Sequence, residues 1–333
     1  MLLIPNPAWE VKDSSKLDDW YGCPRMYFYR HILGWKLSIP AHDLHFGSCW
    51  HEAREYGLLN GYDDVEGAYN AFITEYRKEF SQETDSLYSP KNPAAVLSAL
   101  LALSRDPYLL SDLQENEVVE INGNKMTEIS GTVPISETRV LHYRMDSIMR
   151  RKEDEMIFSW DHKTTTENYI KYDSWVNQFY LSVQNGTYTH CLYCMFPIEK
   201  VLGVEFYGVG FTYLSRGSAA RPQGYYATFK KAPVYKTPEQ MNVWLWNVNR
   251  ICADIDYEME ILDKCKEDDN VMMAYPMNPK HCTSYRGCIY HDFCMSWPNP
   301  LQRCQDPPIG FEVEFWRPDE KASKNIINLN FGG

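Results

Sequence analysis

The 333-residue sequence has no apolar run long enough to cross a bilayer. Its most apolar stretch, VLGVEFYGVGFTYL, contains Glu205 and three glycines and is shorter than the roughly 20 residues that a membrane span requires. The segment MLLIPNPAWEVKD has no basic residue ahead of its apolar run, which stops at Pro5, so it does not resemble a secretory signal. These absences predict an intracellular protein without a membrane segment, cytoplasmic or associated with the nucleoid.

Positive charge is also scarce, with 33 lysines and arginines against 45 aspartates and glutamates and a formal net charge of −12. This balance argues against a protein that coats nucleic acid with a broad basic surface, but it is compatible with a local basic groove. Internal repeats and low-complexity tracts are absent as well. The remaining composition, 44% hydrophobic and 23% charged, is that of a globular protein with one large domain or two ordinary ones.

Hydrophobic periodicity predicts helices first and strands later. Helices are predicted in 13–33 with a break at Gly22-Cys23-Pro24, and at 44–60, 64–80, 93–113, 175–196 and 238–265. Strands are predicted at 117–121, 125–133, 139–150, 155–163, 201–215 and 224–232. This order predicts an α/β or α+β core with a helical insertion ahead of it.

The segment FSWDHKTTT, residues 158–166, places an acid and a lysine one residue apart at the end of a predicted strand. Because alternate residues of a strand point to one face, Asp161 and Lys163 are predicted to lie side by side. Asp146 lies in the preceding predicted strand, so a second carboxylate can reach the same edge. Such carboxylates suit a hard divalent cation that orients an attacking water, and a lysine can help to position that water. Taken alone, such a pair is most often an exposed ion pair, so the rest of the chain must decide between the two interpretations.

The order of these residues resembles the PD-(D/E)xK nuclease superfamily, in which an acid precedes a D-x-K strand. FGSCWHE, residues 46–52, is similar to the F-G-(S/T)-x-x-H element of the RecB-like branch and puts His51 in the place of a metal-binding histidine. Singly, His51 and Asp146 are compatible with a surface histidine and a strand-end charge. Their order and spacing together favour the nuclease.

QNGTY, residues 184–188, is similar to the Q-x-x-x-Y motif of the same branch. Gln184 and Tyr188 are one helical turn apart and so share a helix face. Gln178 competes for this role, but Ser182 rather than a tyrosine follows it four residues later. Tyr188 alone is also compatible with core packing.

The resemblance implies a restriction-endonuclease-like core, with a mixed central sheet flanked by helices. It implies metal binding by His51, Asp146 and Asp161, with Mg²⁺ or Mn²⁺ as the metal. It also implies a catalytic set of Asp146, Asp161, Lys163, Gln184 and Tyr188, in which Lys163 positions the water and the last two orient the strand and its side chains.

Ten cysteines contrast with the absences above. Disulfides are rare in reducing compartments, so clustered cysteines there indicate metal ligation or chemistry. HCTSYRGCIYHDFC, residues 281–294, spaces Cys282, Cys288 and Cys294 at equal intervals. Three thiolates leave a tetrahedral or cluster site one ligand short.

Iron–sulfur members of the RecB-like branch, among them AddB-type and CRISPR-adaptation nucleases, complete this site with a cysteine near the N-terminus. The resemblance therefore implies a [4Fe–4S] cluster on Cys23, Cys282, Cys288 and Cys294, although the first interval is wider than in some members. A structural Zn²⁺ on the same cysteines, or with His281 or His291, stays open, as do plain buried thiols. The cysteines with weaker or no assignment are Cys49, Cys191, Cys194, Cys252, Cys265 and Cys304.

The resemblance covers about residues 14–300 and implies a single nuclease domain over 1–305. Its implied parts are the helical insertion 44–115, the catalytic sheet core 117–235, the cysteine segment 280–295 that closes onto Cys23, and a C-terminal tail 306–333. The last part of that tail, RPDEKASKNIINLNFGG at residues 317–333, is polar and is predicted to be loosely ordered.

The function implied is that of a metal-dependent deoxyribonuclease, an exonuclease acting on single-stranded or end-frayed DNA in repair or recombination, with a helicase or recombination protein as a fitting partner. Basic residues flanking the motifs are predicted to contact phosphates, namely Lys152, Lys163, Lys171, Arg216, Arg221, Lys230 and Lys231. Aromatic residues around the D-x-K segment are candidates for stacking on bases, namely Trp160, Tyr169, Tyr172 and Trp175. Taken singly, these basic and aromatic residues are more readily explained as solvated charges and buried aromatics. Two alternatives stay open: a non-catalytic, metal-stapled DNA-binding or adaptor protein that retains the fold, and a zinc protein with no nucleic-acid role.

Overall fold

A computed structural model describes residues 3–284, 287–320 and 324–330. Its α-helices are α1 Ser14–Gly22, α2 Pro24–Tyr27, α3 His42–Asn60, α4 Val65–Tyr76, α5 Pro93–Arg105, α6 Pro107–Gln114, α7 Glu167–Ile170, α8 Asp173–Tyr180, α9 Val183–Met195, α10 Pro238–Leu262 and α11 His291–Ser296. Its strands are β1 Trp35–Leu37, β2 Asn116–Val118, β3 Glu120–Ile121, β4 Asn124–Lys125, β5 Thr127–Pro134, β6 Val140–Arg151, β7 Ile157–Thr166, β8 Val201–Leu214, β9 Gly224–Tyr235, β10 Phe311–Val313 and β11 Asn325–Ile326.

Internal contacts divide the chain into two compact units. The cysteine unit comprises Met1–Ile39, Gly131–Tyr143 and Thr237–Ala322. The sheet unit comprises Pro40–Ser130, Arg144–Lys236 and Ser323–Gly333. Each unit is therefore built from segments that are distant in sequence. Within the predicted cysteine segment, Tyr285 and Arg286 lie outside the described residues.

The central sheet has the strand order β11-β5-β6-β7-β8-β9, and β2 also pairs with β6. β7 runs antiparallel to β6 and parallel to β8, while β8 runs antiparallel to β9. The sheet is therefore mixed, as the resemblance implies. Helices flank it, and this architecture confirms the predicted fold class.

Two groups of helices cover the sheet because neighbouring residues of β7 and β8 point to opposite faces. On one side, Phe46 and Trp50 of α3 pack with Trp160 and Phe211 in one apolar cluster. On the other side, α7, α8 and α9 follow β7 and pack against β8 and β9. Gly208 of β8 permits that approach, because a methyl group there would lie 2.2 Å from the Trp175 ring.

Two predicted helices are broken in the structure. The helix predicted at 93–113 stops at Arg105, because Pro107 starts a new helix whose first amides are capped by the Asp106 carboxylate. The helix predicted at 175–196 is interrupted after Tyr180, and Ser182 caps α9 through the Asn185 amide. Gln178 and Gln184 consequently lie on different helices.

Parts of the predicted tail are ordered. Phe311–Val313 pairs antiparallel with Trp35–Leu37 within the cysteine unit. Asn325–Ile326 adds a parallel edge strand beside Ile129 and Ser130 within the sheet unit. The backbone groups of these two segments complete two sheets. Asn325–Ile326 lies within 317–333, the stretch predicted to be loosely ordered, and forms an edge strand there instead.

The cysteine unit has an aromatic core. The Tyr29 ring stacks on Trp35 at 5.7 Å and on Tyr290 at 5.2 Å, while Tyr27 stacks on Tyr275 at 6.3 Å. Arg25 donates to the Tyr275 carbonyl at 2.9 Å. These contacts join the first helices to the segment that follows α10. Across the described residues, no helix combines the length and the apolar character needed to cross a membrane.

Candidate active site

The two acids predicted to share an edge lie on neighbouring antiparallel strands of the sheet unit. Ser147 of β6 pairs with Trp160 of β7, and this register places Asp146 opposite Asp161 one residue further along. Both residues are buried, with 9% and 1% of their surface exposed. Opposed residues of antiparallel strands point to the same face, so the fold brings the two carboxylates close together.

A series of polar contacts joins Lys163 to α9. The Lys163 Nζ lies 2.6 Å from Asp161 Oδ2 and donates to Gln184 Oε1 at 3.0 Å. The Gln184 amide nitrogen donates to Asp161 Oδ1 at 3.1 Å and to the Tyr188 hydroxyl at 2.9 Å. Tyr188 donates to the backbone carbonyl of Arg144 on β6. Helix α9 therefore holds Lys163 and Asp161 in a fixed relation to each other.

His51, on α3, contacts the same edge through both ring nitrogens. Its Nδ1 lies 3.1 Å from Asp146 Oδ1, and its Nε2 lies 2.8 Å from the backbone carbonyl oxygen of His162. The second Asp146 oxygen accepts from the His162 amide at 2.7 Å. Since both partners of His51 are acceptors, the geometry fits a doubly protonated imidazolium ring.

In the His51–Asp146 pair, the charge of each group stabilises the charged form of the other. Burial lowers the pKa of His51, but the Asp146 carboxylate outweighs burial and raises that pKa to about 9. Burial raises the pKa of Asp146, but the His51 charge and its hydrogen bond hold it well below its usual range. In the absence of a cation, the two side chains therefore form an ion pair at neutral pH.

The pKa of Asp161 is shifted in the opposite direction to that of Asp146. Burial raises the pKa of Asp161, Lys163 opposes that rise, and the charge of Asp146 adds to it, so that the pKa is about 6. Two adjacent carboxyl groups thus have pKa values shifted in opposite directions. Such divergence is typical of active sites, where each group has a different task.

Glu128 of β5 is a site residue that the sequence interpretation missed. It is buried, with 5% of its surface exposed, and Arg144 Nη2 lies 2.6 Å from its Oε2. Its backbone has a φ of 46°, in the left-handed region that non-glycine residues seldom adopt. One usable signal was present in the sequence: an acid in the predicted strand directly before that of Asp146.

Ligand atoms of His51, Glu128 and Asp146 lie within 4.8 Å of one another. One imidazole nitrogen with two carboxylates is a donor set that suits a divalent cation. Asp161, the third metal ligand predicted from the sequence, lies outside this group of three, and its oxygens contact Lys163 and Gln184.

A family model for the PD-(D/E)XK nuclease superfamily matches residues 14–295 of this chain. The chain belongs to the PD-(D/E)XK nuclease superfamily. A search of curated proteins finds no match to it. Members of this superfamily use divalent metals, and a nuclease fold implies DNA as the substrate. The carboxylates and histidine of this PD-(D/E)XK chain fit such a metal by their chemistry and by their spacing.

Two of the aromatic residues predicted to stack on bases cannot do so in this PD-(D/E)XK fold. Trp160 and Trp175 are buried within the sheet unit, with 0% and 2% of their surface exposed. Their burial reflects packing on the two faces of the sheet rather than a nucleic-acid surface. Tyr172, by contrast, is 63% exposed and lies just before α8.

The basic residues predicted to contact DNA differ in their ion-pair partners and in the face of the sheet on which they lie. Lys171 and Arg221 both bind Glu167 Oε1, at 2.8 and 3.1 Å, and both side chains are largely exposed. Lys230 pairs in register with Gly208, which is itself in register with Lys163, so the two lysines share a face of the sheet. Lys231 points to the opposite face and binds Asp112 at 2.9 Å.

The cysteine unit contains a second candidate metal site. The site is a pocket, and the residues that line it are Cys23, Met26, Met277, His281, Cys282, Cys288, Tyr290, His291 and Cys294. The Asn278 amide donates to Cys23 Sγ at 3.3 Å. Burial raises the pKa of Cys288 and raises that of Cys294 to about 11.

Four thiols around one pocket fit a soft metal or an iron–sulfur cluster, and the two histidines in its lining keep the zinc alternative open. Other cysteines have different environments. Cys304 donates its thiol to the Leu301 carbonyl at 3.3 Å, and Cys191 is fully buried in α9.

Proposed function

We propose that this chain is a Mg²⁺- or Mn²⁺-dependent DNA exonuclease of the RecB-like branch, acting on single strands and frayed ends. The observation that carries the proposal is the series of contacts from Lys163 through Asp161 and Gln184 to Tyr188. A core that had lost activity would have no need to keep a lysine, an acid and a glutamine joined in this way.

His51, Glu128, Asp146 and Asp161 are the residues proposed to hold the cation. When bound, a divalent cation stabilises the negative charge of the phosphodiester and lowers the pKa of water. Lys163 would hold the attacking water and offset charge near the phosphate. Gln184 and Tyr188 would keep Lys163 and Asp161 oriented, because Gln184 donates to the Tyr188 hydroxyl and Tyr188 donates to the Arg144 carbonyl on β6.

Several exposed groups on the Lys163 side of the sheet support a path for single-stranded DNA. Lys171 and Arg221 are held in place by Glu167 and can still reach phosphates with their remaining donors. Tyr172, which directly follows Lys171 in the sequence, is exposed and can stack on an unpaired base. An acidic protein with only a local basic path grips intact duplexes poorly, which favours unpaired ends and a helicase or recombination partner.

The proposed cofactor of the cysteine unit is a [4Fe–4S] cluster on Cys23, Cys282, Cys288 and Cys294, with Zn²⁺ as the alternative. The pocket that these cysteines line supports this ligand set. Its role would be structural, since the cluster would bind the N-terminal helices to the segment that follows α10.

The rival proposal is a non-catalytic DNA-binding or adaptor protein with the same fold. The experiment that separates them measures cleavage of linear and circular DNA, each single-stranded and duplex, at one salt concentration with Mg²⁺ or Mn²⁺. We expect linear single strands to be cut fastest and closed circular duplex to resist. Rapid cutting of the closed circle would overturn the exonuclease assignment, and binding without any cleavage would favour the adaptor.

Lys163→Ala provides the test of the site in the same assay. It should bind DNA like the parent but lose cleavage by about 10²-fold or more, as expected when a group that assists proton transfer or charge stabilisation is removed. Lys78→Ala is the matched control, because Lys78 is an exposed lysine of the sheet unit paired with Glu75. Cleavage by Lys163→Ala at the parent's rate would show that the site is wrongly assigned.

A further inference from the structure

A second polar cluster lies in the sheet unit, on the face of β7 that points away from Lys163. His162 belongs to this face because it alternates with Asp161 and Lys163 along the strand. Arg54 of α3 reaches the cluster and is 1% exposed. Its guanidinium carbon lies 5.1 Å from the centre of the Tyr207 ring and 5.2 Å from that of Tyr62.

Several polar groups of this cluster have no hydrogen-bond partner in the part of the chain that the structure describes. Within the described residues, no hydrogen-bond partner is found for Nε, Nη1 or Nη2 of Arg54, for the hydroxyls of Tyr62 and Tyr207, or for the ring nitrogens of His162. Arg77 of the same unit shows the usual arrangement, because both of its terminal nitrogens bind Asp85 at 2.7 Å. Aromatic rings attract a guanidinium group, but they do not replace the hydrogen bonds that a buried cation loses.

Nearby acidic groups are already engaged elsewhere. Asp112 binds Lys231 at 2.9 Å, and Asp106 accepts from the first amides of α6. Lys231 adds a second positive charge near the cluster, since its Nζ lies 6.0 Å from the centre of the Tyr207 ring. Lys231 is balanced by its ion pair with Asp112, whereas none of the three Arg54 nitrogens has a partner among the described residues, so the Arg54 charge is left uncompensated.

We propose that Arg54, with the hydroxyls of Tyr62 and Tyr207, binds a small monovalent inorganic anion of the chloride class. One negative charge balances that of Arg54, and the Arg54 nitrogens and the two tyrosine hydroxyls can donate hydrogen bonds to it. The centres of both rings lie within 5.2 Å of the guanidinium carbon, and Arg54 and Tyr207 are 1% and 2% exposed, so the position suits a small ion rather than a nucleotide or a peptide carboxylate.

The bound anion would stabilise β7 from the face opposite to that of Asp161 and Lys163. The His162 backbone contacts His51 through its carbonyl and Asp146 through its amide. An anion that holds Arg54 near the His162 ring would stabilise His162. Its backbone in turn positions the side chains of His51 and Asp146. This consequence rests on the proposed nuclease function, whereas anion binding itself does not.

The direct test is a crystal of the full chain soaked in bromide, with the anomalous signal measured at the bromine edge. We expect a peak in contact with the Arg54 guanidinium group. Density for water alone at this position would overturn the proposal, and so would a tetrahedral oxyanion with no halide.

Thermal unfolding gives an independent test without DNA or divalent cations. Replacing gluconate by chloride at constant ionic strength should raise the unfolding temperature by about 2–4 °C for each tenfold increase above the dissociation constant. Equal unfolding temperatures in gluconate and chloride would contradict the proposal. Neither measurement depends on cleavage, so its failure is separate from a failure of the proposed function.

Arg54→Met should remove the chloride dependence, because the side chain keeps its length and loses its charge. Arg77→Met is the matched control: Arg77 also lies 5.3 Å from a tyrosine ring, but its charge is balanced by Asp85. It should lower stability and leave the chloride dependence intact. Should Arg54→Met fail to fold, Tyr207→Phe removes one donor without changing the packing and should reduce the dependence; an unchanged slope in that variant would overturn the assignment.

Discussion

The two candidate metal sites of this chain differ in how they are organised before any metal binds. In the sheet unit, the side chains are held by one another: His51 by Asp146, Lys163 by Asp161 and Gln184, and Glu128 by Arg144. In the cysteine unit, the candidate ligands are thiols whose pKa values burial raises, as at Cys288 and Cys294.

This difference has a chemical cause. Carboxylates, imidazole and ammonium groups form ion pairs and hydrogen bonds with each other, so a site for a hard cation can be ordered by its own residues. Thiols form only weak hydrogen bonds, and thiolates repel each other, so a soft site depends on its metal for order. We therefore expect the cysteine unit to need its cofactor for stability and the sheet unit to need its cation mainly for chemistry.

The largest effect is expected from Cys288→Ser in the cysteine unit. If four thiolates hold an iron–sulfur cluster, anaerobically purified parent protein should be brown and contain iron and sulfide. The variant should lose the colour and unfold at a temperature lower by more than about 5 °C, because structural metals contribute directly to folding. Cys23→Ser should have the same effect although it is distant in sequence. Visible absorbance, metal analysis and thermal unfolding measure these changes.

Cys304→Ser is the matched control for these variants, since Cys304 is a partly buried thiol of the same unit that donates to the Leu301 carbonyl. It should keep colour and metal content. A colourless parent with one equivalent of zinc would assign the site to Zn²⁺, and metal-free protein of full stability would show that the thiols are structural only.

A smaller effect is expected from Glu128→Gln in the sheet unit. The substitution keeps the size of the side chain and its contact with Arg144 but removes one charge from the group of three candidate ligands. The Mg²⁺ concentration for half-maximal cleavage should rise by about 10- to 100-fold, the range seen when a group that supports a metal site is lost. Cleavage at saturating Mg²⁺ should fall much less.

Glu55→Gln is the control for that comparison. Glu55 is equally buried in the sheet unit, accepts from Thr127 and pairs with Lys324, and it is not part of the three-residue group. It should leave the Mg²⁺ dependence unchanged. If Glu128→Gln also leaves it unchanged, Glu128 does not contribute to metal binding.

The sequence predicted those site residues that follow a regular spacing, such as Asp161 and Lys163. It did not predict Glu128, whose position depends on an irregular backbone conformation. The alternation of a strand was enough to predict that Asp161 and Lys163 share a face, and the family match over residues 14–295 confirms the fold that this pattern indicated. Glu128 was missed although it lies in the predicted strand before that of Asp146, because strand alternation does not reveal its position, which depends on an unusual backbone φ of 46° and on Arg144. The break before α9 was missed because the apolar period continues through Leu181 while Ser182 caps a new helix.

The smallest effect is expected from removing the divalent cation from the sheet unit. Amides of β7 should exchange with deuterium in EDTA at rates within about tenfold of those in Mg²⁺, because a difference of 1.4 kcal/mol or less is expected when side-chain pairs already order the site. The His162 amide reports this directly, since it donates to Asp146 at 2.7 Å. Exchange that becomes faster by 100-fold or more in EDTA would show that the cation, rather than the contacts of His51, Lys163 and Gln184, holds this edge together. The contrast between the two units would then disappear, because both would depend on their metals for order.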